Sequence, residues 1–161
     1  MAYNWLRQGD QAISQAERAI DLDPGFPLAY AELGIALVQK GMHDLAIDRL
    51  TKALSQGQRY PRIRGMLGYA YATSGRTIQA QKELTVLKAL AEGRFGFALS
   101  IARIHAALNE KDEAFAWLRK SCDERDPQVI WLKVDLTFDN LRSDPRYAQV
   151  LKDMGLPIEM K

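Results

Sequence analysis

The chain has 161 residues, 47% of them apolar, with 22 basic and 20 acidic side chains and a net charge of +2. That is the balance of one compact domain or one short solenoid, and it excludes a strongly basic nucleic-acid binder, so no nucleic-acid partner is expected. The single cysteine, Cys122, excludes an internal disulfide and a cysteine-based zinc site.

The opening stretch Met1-Ala2-Tyr3-Asn4-Trp5-Leu6 lacks the basic-then-apolar plan of a secretory signal. No run approaches the roughly 20 apolar residues of a membrane span. The expectation is a cytoplasmic protein with no membrane partner. Residues 1–26 read as a partial helical unit. Ala12, Ala19 and Pro24 stand 34 positions before Ala46, Ala53 and Gln58, and Asp21-Leu22-Asp23-Pro24-Gly25-Phe26-Pro27 reads as a helix end and a link. Too few residues precede it for a full partner helix, so its apolar face is left open, because each unit of a stack covers itself only against neighbours.

Residues 27–60, 61–94 and 95–128 form three units in a gapless register. A step of 34 carries Leu33-Gly34 to Leu67-Gly68 and to Ile101-Ala102, and Leu37 to Tyr71 and His105. It carries Gly41 to Gly75 and Asn109, and Ala46 to Ala80 and Ala114. It carries Leu50 to Leu84 and Leu118, and Ala53 to Leu87 and Ser121. The small residues let two helices approach closely, the leucines fill the space between, and Gly41, Gly75 and Asn109 are residue types that tolerate a left-handed helix stop. Each unit therefore predicts helix, tight turn, helix.

Residues 129–161 predict a helical C-terminal cap. Asp126-Pro127 reads as an N-cap and first helical residue, and Ser143-Asp144-Pro145 starts another helix that ends by Gly155 and Pro157. Trp131, Leu132, Phe138, Leu141, Tyr147 and Leu151 are expected to cover the last unit.

The marks Tyr30, Leu33-Gly34, Leu37, Gly41, Ala46, Leu50 and Ala53, repeated at a period of 34, resemble the tetratricopeptide repeat. That resemblance implies an all-α, α–α superhelix of about three and a half hairpins whose first helices line a concave groove. The tail, with Trp131-Leu132-Lys133-Val134-Asp135, Leu141-Arg142-Ser143-Asp144-Pro145-Arg146 and Met154-Gly155-Leu156-Pro157, resembles the ending of many bacterial repeat proteins. In those, the array often follows a kinase, nucleotide-cyclase or winged-helix domain. Leu136-Thr137 and Asn140 stand where that ending has proline.

No constellation of catalytic residues emerges. His105 takes a core position, His43 lies just past a turn, and neither has a second histidine at ligand spacing, so no metal and no cofactor is expected. Cys122 reads as a partly buried structural thiol, and Asp21, Asp23, Asp123, Glu124 and Asp126 read as helix-end carboxylates. There is no phosphate loop or nucleophile elbow. The expectation is a non-enzyme: a scaffold holding a protein or peptide on the concave groove, with Leu28, Glu32, Ile35, Arg62, Met66, Tyr69, Leu99 and Arg103 as lining. The family's clamp for a peptide C-terminus falls on Ala31, Ile35, Met66, Gly96 and Ser100, none of which supplies it. Arg62 and Arg103, with a local charge of +7 between Arg49 and Arg94, point to an acidic partner steered by charge. The alternatives are a homodimer formed through the open N-terminal half-unit, and a regulatory segment of a larger bacterial signalling or transcription protein.

Overall fold

A computed structural model of the chain describes residues 9–55 and 60–155. The start of the partial unit, the link at 56–59 with Arg59, and the predicted stop at Pro157 lie outside the described residues. The architecture is all-α, with no strand among the described residues. The helices are α1 (Gly9–Leu22), α2 (Pro27–Gln39), α3 (His43–Ser55), α4 (Pro61–Thr73), α5 (Thr77–Leu90), α6 (Ala98–Ala107) and α7 (Lys111–Asp123). Two 3-10 helices, Pro127–Trp131 and Leu136–Leu141, then lead to α8 (Pro145–Asp153).

The repeat is visible in where helices begin. His43, Thr77, Lys111 and Pro145 open α3, α5, α7 and α8, each one full period after the last. The stops recur too. Met42, Arg76 and Glu110 donate backbone N–H bonds to the carbonyls of Leu37, Tyr71 and His105 at 2.9, 2.8 and 3.0 Å. Gly41, Gly75 and Asn109 donate to Val38, Ala72 and Ala106. Their φ angles of 75°, 77° and 61° are left-handed, so the pair of bonds is a Schellman motif closing each first helix. Arg125 (φ 53°) and Asp126 make the same pair on Cys122 and Ser121 at the end of α7.

Packing follows the same stride. Ala46, Ala80 and Ala114 are fully buried, as are Leu50 and Leu118, with Leu84 close behind; each such leucine is worth about 1.5–3 kcal/mol of burial. A Cβ added at Gly34 would stand 2.5 Å from Leu50 Cγ, and one at Gly68 would stand 2.3 Å from Ile104 Cδ1. The first glycine lets α2 press on α3, and the second lets α4 press on α6. First helices pack on one another, α2 on α4 and α4 on α6, while α3 and α5 pack on the first helix of the unit that follows. The stack therefore bends with first helices inside and second helices outside.

The third unit departs from the expected boundary. Phe95 occupies the register position of Pro27 and Pro61, the chain turns again at Gly96 (φ 84°), and α6 starts only at Ala98. Phe97 points into the core while Phe95 is 80% exposed.

The tail keeps the repeat's register. Leu136–Leu141 packs on α6, and Asn140 Nδ2 donates to the carbonyl of Ala106, one period earlier, at 2.6 Å. Leu132, Phe138, Leu141, Tyr147 and Leu151 are buried as expected, while Trp131 is 51% exposed. The Pro127–Trp131 turn is a short 3-10 helix capped by Asp126, whose side chain accepts from the Gln128 N–H. Asp144 caps α8 by accepting from the Arg146 N–H at 3.0 Å.

Candidate binding surface

First helices α2, α4 and α6 and the Leu136–Leu141 segment share the inner face. Glu32, Ile35, Arg62 and Met66 converge there around a space of about 20 Å³ that is also lined by Asp135, Leu136 and Thr137. The chain's own tail thus closes this part of the groove. Asp135 does the tying. Its Oδ2 accepts from Arg103 Nη2 at 2.8 Å, and its Oδ1 accepts from the N–H and the Oγ1 of Thr137 at 3.0 and 2.6 Å. Arg103 Nε donates to Thr137 Oγ1 at 2.9 Å, and the guanidinium lies over the Phe138 ring at 5.5 Å.

Helical spacing turns Arg103 toward a partner, yet it is only 1% exposed. A guanidinium is held there because a carboxylate on Nη2, a hydroxyl on Nε and an aromatic face meet it from the tail, although Nη1 is buried without a partner. Arg62 pairs with Glu32, a contact made one unit back along the inner face. Burial, opposed by Glu32, lowers the Arg62 pKa, and the neighbouring Arg103 adds to the lowering. Both arginines that pointed to an acidic partner are therefore used inside the protein. Leu99 packs in the cluster of Leu132, Phe138 and Tyr147 beneath the tail, Ile35 and Met66 are buried in the cluster under α2 and α4, and Leu28 is half-buried.

Nearer the N-terminal end the inner face stays open. A cavity of about 800 Å³ is lined by Gly9, Asp10 and Gln11 at the start of α1, Gln39 and Lys40 at the end of α2, Tyr69 of α4, and Leu136 and Asp139. Of the residues that helical spacing places on the inner face, Tyr69 and Gln39 border it. Burial, reinforced by Asp135 and Asp139, pushes the Tyr69 hydroxyl up to about 12, so at neutral pH it is a fixed neutral donor and acceptor. Lys40, partly exposed, pairs with the exposed Asp10 at 2.7 Å, and Asp139 pairs with Arg142 Nε at 2.6 Å. The cavity thus offers amide, hydroxyl and paired-charge groups around one leucine.

Helical spacing on α2 reaches Gln39. Leu136 and Asp139 carry no local signal of this role, and their register equivalents, Ala102 and His105, are buried packing positions rather than inner-face ones.

His105 is buried, with Nδ1 2.5 Å from Glu110 Oε2. His43 is half-buried. Burial pushes the Cys122 thiol up, away from the thiolate a nucleophile needs. Among the described residues no group of three or more His, Cys, Asp or Glu side chains could hold a metal ion, and no helix is long and apolar enough to cross a membrane. No protein-family model and no curated protein matches the chain.

Proposed function

We propose that the chain is a tetratricopeptide-type scaffold that holds another polypeptide on its inner face, without catalysis of its own. The observation that carries this is the open cavity of about 800 Å³ between α1, α2, α4 and the Leu136–Leu141 segment. Its size is in the range of pockets that enclose several side chains, and its Gln39, Tyr69 and Gln11 groups suit a backbone or a polar side chain. The tail fills the space beside Arg103, which confines the partner to the N-terminal half of the groove. A cytoplasmic, bacterial setting fits the tail's resemblance. The test is selection of a random-peptide library on the pure protein. Enriched sequences that bind the parent chain and lose at least tenfold on Tyr69→Ala or Gln39→Ala support the reading. Enriched sequences indifferent to both substitutions place the partner elsewhere.

Self-association is a second reading, favoured by Leu22, 88% exposed at the end of α1, with Phe26 beside it in the link. A sedimentation profile that stays monomeric at high concentration removes it, as does one that associates equally well after Leu22→Ser.

A further inference from the structure

Several cations without a carboxylate partner lie on the outer face. Glu83, the sole carboxylate of α5, is turned aside to Arg64 Nη1 at 2.6 Å. The exposed side of α5 therefore carries, without a carboxylate, Lys82 four residues from both the exposed Ile78 and Val86, and Lys88 on the flank turned to Trp117. Val86 has Lys52 and Lys120 at its equivalent positions on α3 and α7, one period before and one after. Among the described residues no carboxylate stands within ion-pair distance of Lys52, Lys82 or Lys88, and Lys120 has only Glu124 at 3.9 Å.

Three of these ammonium groups are held over rings. Lys88 and Lys120, from neighbouring units, lie over the same indole, Trp117, at 5.8 and 4.7 Å from its centre. Lys52 lies over Tyr30 at 5.6 Å. A ring contact restrains a long side chain without neutralising it. Less rotamer freedom is then lost when a partner's carboxylate arrives.

We propose that this outer face, over α3, α5 and α7, docks an acidic protein segment bearing an apolar side chain. Lys52, Lys82, Lys88 and Lys120 meet its carboxylates, and Val86 receives the apolar group. Charge complementarity sets the partner's chemistry: Lys52, Lys82 and Lys88, with no described carboxylate in ion-pair distance, beside an exposed apolar side chain reward carboxylates next to a leucine or similar residue. A helix-dipole role accounts for Lys52, Lys88 and Lys120 near helix C-termini. It does not account for Lys82 in mid-helix, nor for an exposed valine between the cations. The surface shares no residue with the inner cavity, so either proposal stands or falls without the other.

The experiment uses the full chain and a synthetic peptide of glutamates around a central pair of leucines, with Trp117 fluorescence and calorimetry as readouts at low salt. The expected result is binding that weakens about tenfold on Lys88→Glu with Lys120→Glu, and weakens with added salt. Val86→Ser should reduce the affinity to that of an all-glutamate peptide. Far-UV circular dichroism checks that each variant folds, and Lys82→Glu alone, at an exposed site remote from the indole, repeats the test if the double variant does not. Binding unchanged by the charge reversals overturns the proposal. Tighter binding to phosphatidylserine vesicles or to a single-stranded oligonucleotide than to the peptide overturns it as well.

Discussion

Asp135→Ala is the substitution that most directly tests how the tail is fastened. It removes the acceptor of the 2.8 Å bond from Arg103 and the two bonds from Thr137. It also removes the N-cap of the Leu136–Leu141 helix. Arg103 cannot turn to water, since it is 1% exposed, so a guanidinium is left charged and largely unpaired in the interior. Loss of one partner of a buried pair costs about 3–5 kcal/mol, a large part of the roughly 5–15 kcal/mol that holds a domain of this kind together. With a urea slope of about 2 kcal/mol/M, the unfolding midpoint should fall by about 2 M. The companion variant Arg103→Met with Asp135→Leu removes both charges at similar volume and should recover most of the loss. Urea titration followed by circular dichroism and by fluorescence of Trp131, close to the tie in sequence, reads both. A loss below about 1 kcal/mol for Asp135→Ala would mean that Arg103 has another acceptor or reaches solvent, and the account of a tail locked into the groove would be wrong.

Other outcomes follow from the same geometry. Gly34→Ala should destabilise by about 1–3 kcal/mol in urea unfolding, because its new Cβ meets Leu50, which is fully buried and has nowhere to move. Gly41→Ala meets no neighbouring atom but must hold a φ of 75°, which costs about 1 kcal/mol of backbone strain; a variant at parental stability would contradict the Schellman assignment. Raising pH should weaken the fold between about pH 10 and 12. The unfolded chain's tyrosine gives up its proton first, while Tyr69 in the folded chain holds its proton up to about 12. The difference in phenolate absorbance between the parent and Tyr69→Phe reports that titration, and a midpoint near 10 would refute the burial argument. At the acid end, the Arg146 side chain and backbone N–H hold Asp144 down to about 2. The α8 cap is therefore at full strength above about pH 4 and should loosen as pH falls toward 2, with a carboxyl resonance of Asp144 that titrates late; an ordinary carboxylate midpoint would disprove it.

Much of the frame is legible because it depends on residue size at a fixed interval. Leu33, Leu50, Ala46 and their equivalents need only a period of 34 to be placed in the core, and Gly41, Gly75 and Asn109 need only a helix stop. The inner face is less legible because its occupant comes from far along the chain. Arg103 reads as an exposed cation on helical spacing, and nothing local reveals that Asp135, almost a full period later, will bury it. Asn140 and Thr137 do stand one full period after Ala106 and Arg103. The tail reads as a separate cap, however, since Pro127 and the short apolar groups around it break the helical pattern. Its continuation of the repeat shows only once Pro145 is seen to open α8 in step with Lys111, Thr77 and His43. The cavity's wall is hidden for the same reason: Leu136 and Asp139 join residues near the other end of the chain.

Asp10, Asp44 and Asp112 share one register position and each pairs with a cation of the following unit, but three other ion pairs do not repeat. Glu32 with Arg62, Arg64 with Glu83, and Arg103 with Asp135 each join a different combination of elements, although the alanines and leucines around them are interchangeable from unit to unit. Removing residues 61–94 would bring α2 against α6 with matching shapes, yet Glu32 would lose Arg62 and the stack would be mis-keyed. The hydrophobic frame fixes how hairpins nest, and the charges fix which hairpin sits next to which. A shuffled or shortened array should thus still become helical while losing the unique order that puts the tail in the groove.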